Sequence, residues 1–269
     1  AETCGYPCIV KPLEQRASRG ISMVYDRLEL APALRTAFEY GPSYLVEQCL
    51  VGTEHSVEGI IGNNGEILWI NIVDRFFDYS GGVPIEIGHC NPSILMLRIG
   101  TAVTRMFGDV AHALGVTWGP FKIDVLVTPD GAPKVLECTA RLSGGWDCQG
   151  TSPLTGRHPM RALLQLACGM PVDTPLTWTP AQGYAACAAI LPQVSGIVQR
   201  LPERWPQMVM SYPQQVIWAI KPGEHIAPAT HNGERAGFVL AHADTYGEAW
   251  QRAKTAADTL AAALATGAR

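Results

Sequence analysis

Phe121-Lys-Ile-Asp-Val-Leu-Val-Thr-Pro-Asp-Gly-Ala-Pro-Lys-Val-Leu-Glu-Cys-Thr-Ala-Arg-Leu-Ser-Gly-Gly145 carries two apolar-rich runs on either side of Asp130-Gly131. That pattern is a strong signal for a tight β-hairpin. With those two residues as the turn, Pro129 faces Ala132, and counting back sets Asp124 opposite Glu137. Their side chains then leave the same face with Cβ atoms roughly 5 Å apart. Like charges so placed repel. A hard cation between them is the simplest compensation, because Mg²⁺ takes oxygen ligands and commonly uses one or two carboxylates with substrate phosphates. Arg141, four residues past Glu137, falls just beyond the strand end, where a planar cation can hold a phosphate or carboxylate through two bonds. The competing reading of the stretch is a surface hairpin with two solvated acids. Lys122 is expected on the other face of its strand from Asp124.

The chain has 269 residues, 47% hydrophobic and 16% charged, which is ample material for a core and fits one or two domains. A net charge of −4 gives no global attraction to nucleic acid or to an anionic membrane, so phosphate binding must come from a local site. Eight cysteines without a CxxC pair fit neither a zinc site nor a disulfide framework. Cys4, Cys8, Cys138 and Cys148 read as small buried hydrophobes. With no signal peptide and no long apolar run, a cytoplasmic, soluble protein is expected. The start at Ala1, without Met and almost directly on a strand, reads as the middle of something larger.

Along the chain, Cys8–Lys11 reads as a buried strand ending in a cation, followed by a polar loop, Leu13–Ser22, holding Ser18 and Gly20. Met23–Tyr25 returns to strand. Leu28–Glu39 has helical spacing at Leu30, Leu34 and Phe38, with Gly41 as its stop. Tyr44–Val51 is a strand, and His55–Ile61 and Ile67–Val73 form a hairpin about Asn64-Gly65. Arg75–Pro92 reads as an irregular loop crossing a site. Ser93 is expected to cap a helix with Val103, Phe107, Val110 and Leu114 on one side. A loop spans Ser143–His158, and Pro159–Cys168 is a helix stopped by Gly169. After the Pro/Thr-rich joint Pro171–Ala181, short strands are expected at Gly183–Ile190, Gly196–Leu201, Gln207–Met210, Gln215–Ile220 and Ala236–Ala241. The last element is a helix opened by the capping pair Thr245 and Glu248, lined by Trp250, Ala253, Ala257, Leu260 and Leu264, and stopped by Gly267.

Four patterns therefore occur in order: a strand-end lysine with a Ser/Gly loop; Glu47 and Glu54 within Val-Glu-Gln-Cys-Leu-Val-Gly-Thr-Glu-His-Ser-Val; the opposed acids; and an arginine with a Gly-Gly loop. The loop lacks the P-loop pattern but can cover phosphates with N–H groups and a hydroxyl. Lys11 suits a phosphate as a point charge. Glu54, an acceptor only, suits two ribose hydroxyls. The strand from Glu47 through Gln48 to Leu50 can offer main-chain groups to an adenine edge.

In this order and spacing the chain resembles the ATP-grasp superfamily, well over Gly5–Gly169. Ala185–Leu264 is similar to the lid-like C-terminal region of the carboxylase and amino-acid-ligase branches. The resemblance implies an α+β, ATP-grasp fold in which two α+β subdomains grip ATP, with a mixed β/α lid-like region. The expected parts are 1–51 (small, nucleotide-covering), 52–172 (metal and substrate site) and 173–269 (lid-like). It further implies that Lys11 contacts phosphates, Glu47 and Leu50 hold adenine, Glu54 holds ribose, and Asp124 and Glu137 hold Mg²⁺, with Mn²⁺ as the substitute. Pro84-Ile-Glu-Ile-Gly-His-Cys-Asn-Pro92 and Ser143-Gly-Gly-Trp-Asp-Cys-Gln-Gly150 look like the amino-acid-ligase and carbamoyl-phosphate-synthetase-like branch, so Glu86, His89, Arg141, Ser143, Gly144 and Gly145 are expected around the carboxylate substrate. For His89 the alternative is a histidine tied into its loop. His55, His112, His158, His225, His231 and His242 are expected to be structural or solvated.

The implied reaction moves the γ-phosphoryl group of ATP onto a carboxylate, and an amine then attacks the acyl phosphate. Such transfer depends on positioning and charge neutralisation. Lys11 and Arg141 supply that, while the Leu13–Ser22 loop keeps out water. Two alternatives stand beside it: a bicarbonate-using carboxylase or carbamoyl-phosphate-forming enzyme, and a non-catalytic nucleotide-binding subunit. Small-molecule substrates, a separate N-terminal domain or subunit, and a homodimer are the expected partners. The family departures are Thr139, where an Asn usually follows the second metal acid, and a missing N-terminal Rossmann-like domain.

Overall fold

The structure is a computed structural model and describes residues 1, 3–81, 83–172, 183–202 and 215–267. The first sheet has Cys8–Pro12 (β1) as its middle strand, antiparallel to Ser22–Val24 (β2) and to Tyr44–Gln48 (β3). Alternation along β1 turns Cys8 and Val10 inward, where they meet Ala33 and Ala37 of helix α1 (Arg27–Phe38). Asp26 starts that helix by accepting from the N–H groups of Leu28 and Glu29, at 2.7 and 3.2 Å. Leu30 and Leu34 pack on this core as expected, but Phe38 is exposed and stands edge-on to Tyr44.

The second sheet positions the site. Its strands are Thr53–Ile61 (β4), Ile67–Asp78 (β5), Ile85–Asn91 (β6), Gly119–Val127 (β7), Pro133–Thr139 (β8), Tyr184–Ile190 (β9), Gln215–Trp218 (β11) and Gly237–Ala243 (β13). They lie in the order β11-β13-β9-β6-β5-β4-β7-β8, every pair antiparallel. One face is apolar. Val57, Ile72, Ile123 and Val125 pack on helix α2 (Met96–Ala113) through Ile99, Val103 and Phe107. Toward β9 and β13 the same face is covered by helix α5 (Tyr246–Ala262), whose Ala249, Ala253, Ala256 and Ala257 are all fully buried. Small residues on both surfaces, with Ala186, Ala188 and Ala241 opposite, let helix and sheet approach closely.

The remaining described elements are a small sheet of Gly196–Arg200 (β10), His225–Ile226 (β12) and Ala265–Gly267 (β14), the helical turns Asp147–Thr151, Ser152–Leu154 (α3) and Asn232–Glu234, and helix α4 (Pro159–Ala167). Strand β9 pairs with β6, so β9, β11 and β13 share one continuous sheet with β4 to β8.

Several expectations need correction. Arg75–Pro92 is not a loop: β5 continues to Asp78 and β6 returns from Ile85. Gly81 and Pro84 break the chain only at the turn, while the apolar residues on either side keep pairing. Gly88 is needed within β6, at φ 154°, because a Cβ there would strike the carbonyl oxygen of Cys187 on the neighbouring strand. Ser93 does not cap α2. Its hydroxyl accepts from Leu95 N–H at 3.0 Å, and the helix begins at Met96 with Leu114 exposed at its end. Thr245 caps α5 as expected, accepting from Glu248 N–H, but Gly267 does not stop it. The helix ends at Ala262 and β14 pairs with β10. The strand expected at Gln207–Met210 lies outside the described residues.

The β7–β8 hairpin differs instructively. Thr128 N–H donates to Ala132 carbonyl at 3.0 Å, closing a three-residue loop in which Gly131 takes φ 87°. Pairing then runs Val127↔Pro133, Leu126↔Lys134, Val125↔Val135, one step off the expected register. A bulge at Leu136 takes up the extra residue, and Asp124 still meets Glu137. Lys122 is also corrected. Two residues apart on a strand means the same face, and its Nζ lies 2.5 Å from Asp124 Oδ1.

Candidate active site

On the face of the sheet away from α2, alternation brings Glu54, Ser56 and Glu58 of β4 beside Asn71 and Arg75 of β5 and Lys122 and Asp124 of β7. Arg75 is the centre of this polar floor. Its Nε and Nη2 donate to the two carboxylate oxygens of Glu86, both at 3.1 Å, while Nη1 lies 3.1 Å from Asp124 Oδ2 and 4.0 Å from Glu54 Oε2. A second bulge makes this possible. Glu86 and His89, three residues apart, would leave opposite faces of a regular strand, but the extra residue Ile87 turns both toward Arg75.

Charge follows geometry here. Burial alone would raise the Glu86 carboxyl, yet Arg75, with Arg235 3.5 Å away, pulls it down to about 2. Burial works against Arg75 too, but Glu86 and Asp124 hold it charged well above its usual range. For Glu54, burial wins over Arg75 and the carboxyl is raised; Tyr79 donates to it at 2.9 Å.

Behind this floor the loop after β8 folds back over the sheet. Ser143 N–H donates to Glu58 Oε2 at 2.9 Å, and Asp147 pairs with His89 Nε2 at 2.8 Å. His89 is thus both tied to a loop and placed on the Arg75 face. Burial, then the nearby Asp147, push the Glu58 carboxyl up to about 8. An unfolded Glu ionises near 4.3. The folded chain therefore holds an extra proton between the two values, and that stability is lost as pH rises toward 8. Glu58→Gln should flatten the fall in thermal midpoint between pH 5 and 8, removing a slope of up to about 1.4 kcal/mol per pH unit. A pH series of melting curves for both proteins checks it.

The nucleotide residues expected from sequence form a second group. Lys11 Nζ lies 2.6 Å from Glu47 Oε2, across the β1–β3 pair. Gln48 is exposed and pairs with Cys8, and Leu50 follows the strand end. Ser18 and Gly20 both take positive φ, 61° and 71°. A Cβ at Gly20 would crowd Pro12 and the Tyr40 ring. Arg141 is exposed, and its Nη1 donates to Leu142 carbonyl at 3.0 Å; Gly144 lies beside the same guanidinium, and Gly145 beside the Ser143 hydroxyl.

For a metal, Asp124 and Glu137 offer carboxylate oxygens directly across the strand pair. Among the described residues no group of three or more His, Cys, Asp and Glu side chains could hold an ion. The buried hydroxyl of Thr139, on the same face as Glu137, lacks a hydrogen-bond partner. Two carboxylates plus an unsatisfied hydroxyl are oxygen donors of the type Mg²⁺ takes, with its remaining positions left to water or phosphate. The residues fit the ion, although Lys122 and Arg75 already lie on Asp124.

Sequence reasoning did not single out Glu58, Asp147, Asn232 or Arg235. Glu58 was accessible in principle, since it stands four residues after Glu54 on an alternating strand. The other three have no local signal.

Two family models match the chain: the ATP-grasp domain over residues 4–149, and the L-amino acid ligase C-terminal domain 2 over residues 206–265. The vancomycin C-type resistance protein of Enterococcus gallinarum is 34% identical over 133 residues, 48% of this chain and 38% of that protein. A D-alanine–D-alanine ligase of Geotalea uraniireducens is 35% identical over 134 residues, 49% of this chain and 42% of that protein. The matches thus span only about two-fifths of the length of those relatives. Among solved structures, an L-amino acid ligase from Bacillus licheniformis superimposes with TM-score 0.75 at 22% identity, over 95% of this chain and 62% of that one. The biotin carboxylase domain of the Hydrogenobacter thermophilus 2-oxoglutarate carboxylase gives 0.69 at 16%, over 95% and 57%. At such identities these two show the fold, an ATP-grasp architecture. No helix among the described residues is long and apolar enough to cross a membrane.

Proposed function

The chain belongs to the ATP-grasp family, and from that premise we propose that it is the ATP-binding and catalytic part of a carboxylate–amine ligase. The reading rests on one observation above all, the two carboxylates of Asp124 and Glu137 meeting across the β7–β8 pair beside Arg75 and Lys122. The D-alanine–D-alanine ligase relatives and the L-amino acid ligase C-terminal domain match favour small amino acids or peptides as the acid and the amine.

In this reading Lys11, Ser18 and Gly20 cover the phosphates, Glu47, Gln48 and Leu50 flank adenine, and Glu54 accepts from the ribose. Asp124 and Glu137 would hold Mg²⁺, or Mn²⁺ in its place, and the ion would supply charge neutralisation for the transferred phosphoryl group. The substrate carboxylate lies at Arg141 and the Ser143–Gly145 loop, bounded by Glu86 and His89. A carboxylate oxygen bonds to the γ-phosphorus as the bond to ADP breaks. The amine then forms the C–N bond, loses a proton, and phosphate departs. Arg141 offsets the charge of the transferred group, while the fixed floor of Arg75, Glu86 and Asp124 costs no rearrangement as charge moves. Parts 1–51, 52–172 and 173–269, a cytoplasmic setting, a dimer and an N-terminal partner belong to the same reading.

Mixing the full chain with Mg·ATP and a panel of amino acids, singly and in pairs, tests it by phosphate release. Release that needs an amino acid and yields a new amide supports the ligase. Release with bicarbonate alone, or tight nucleotide binding with no release under any pairing even after the N-terminal partner is supplied, overturns it.

A further inference from the structure

Ala17 and Ser18 both take φ 61°, a left-handed conformation that costs a residue with a side chain roughly 1–2 kcal/mol. Two such residues in a row persist only where neighbouring structure holds them. The neighbour is Asn232, more than two hundred positions away and buried. Its N–H donates to Ala17 carbonyl at 3.1 Å and its Nδ2 to Ser18 Oγ at 3.0 Å. Its Oδ1 accepts from Glu86 N–H at 2.7 Å. A backbone N–H can only donate, so Oδ1 must face Glu86 and the NH₂ group must face Ser18. Arg235 locks the turn from below, donating through Nε to Asn232 carbonyl at 2.7 Å. Gly233 lies under the Arg19 guanidinium, where an added Cβ would be 3.4 Å from Nη2.

We propose that Asn232 is a positioning residue that fastens the 13–22 loop to strand β6 and orients the Ser18 hydroxyl. Because Ser18 Oγ accepts from Asn232, its one proton is free to point at an anion. Taking the loop as phosphate cover rests on the ligase reading above; the fastening itself does not. One amide thus links the segment over the phosphates to the main chain of Glu86 at the substrate site.

The experiment uses the full chain and three variants: Asn232→Ala, Ser18→Ala and the two together. Trypsin cleavage after Arg16 and Arg19 reads opening of the loop, and calorimetry reads the Kd for Mg·ADP. Asn232→Ala should speed cleavage by about tenfold and weaken Mg·ADP by a similar factor, with Ser18→Ala giving about threefold, as expected for one or two neutral hydrogen bonds. The double variant should be no worse than Asn232→Ala, since both changes remove the same bond. Unchanged cleavage in the single variants, or effects that multiply in the double, overturns the proposal. Ser18 lies on a half-exposed loop, so its variant gives a reading even if Asn232→Ala melts early. Failure of the parent to bind Mg·ADP would count against the ligase reading, and cleavage alone would then decide this one.

Discussion

Asp124→Asn should lower amino-acid-dependent phosphate release from Mg·ATP by roughly 100- to 1,000-fold, the effect of losing one preorganised electrostatic contact to a charged transition state. The change keeps the shape of the side chain and removes one of the two carboxylates that face each other across β7 and β8. It also takes the negative charge from the Lys122 partner while leaving an amide oxygen to accept its hydrogen bond, and Arg75 keeps its two bonds to Glu86. The fold should therefore persist, and a thermal melt within a few degrees of the parent checks that. Glu137→Gln should act in the same direction. Asp130→Asn, at the exposed hairpin tip, should leave turnover unchanged. Full activity in both Asp124→Asn and Glu137→Gln would remove the ground for a metal at this pair.

The largest effect on stability is expected at Arg75. Replacing it by Met removes the paired bonds to Glu86 and the contact to Asp124, leaving Glu86 with Arg235 at 3.5 Å and Asp124 with Lys122 as their remaining cations. Leaving a buried charge wholly unpaired typically costs about 3–5 kcal/mol, and the remaining cations set the loss here at or below the lower end of that range. The pH dependence identifies the cause. In the parent, the depressed Glu86 contributes stability above the unfolded carboxyl range, and this is lost only as pH falls toward 2. In Arg75→Met the largest influence lowering that carboxyl is gone and only the weaker pull of Arg235 and His89 remains, so it protonates at a higher pH than in the parent and protonation relieves it. The gap between the two proteins should narrow as pH falls from 7 to 4, followed by urea melts at each pH. Arg75→Lys keeps the charge but not the two parallel bonds to Glu86, and should recover less than half of the loss. A gap that is constant with pH would mean that Arg75 acts through packing alone.

The acid pair was legible in sequence because two strands of period two and an Asp-Gly signal constrain what can stand opposite what. The details were reached by two offsetting departures, a longer loop and a bulge at Leu136. The sheet of β1, β2 and β3 and helix α1 were legible for a similar reason, since the leucine spacing and Gly41 are local marks. Strand β6 was hidden, because Gly81, Pro84 and Gly88 read as loop punctuation while Gly88 in fact admits the close approach of β9. Bulges at Ile87 and Leu136 leave no compositional trace, so the faces reached by Glu86 and Val135 could not be counted out. The joint of Asn232 with Ser18 and Glu86 spans 214 and 146 positions, and no spacing encodes it.

The Leu136 bulge behaves as a dislocation in the ladder. The outer rungs, Val125 to Val127 with Pro133 to Val135, stand one step away from the register of the inner rung, where Asp124 and Glu137 keep the pairing that a two-residue turn would give. The register change between tip and acids is thus already taken up at Leu136, with the acid pair in place. The hairpin's end is therefore where a residue can be gained, lost or tagged with least disturbance to the proposed magnesium ligands.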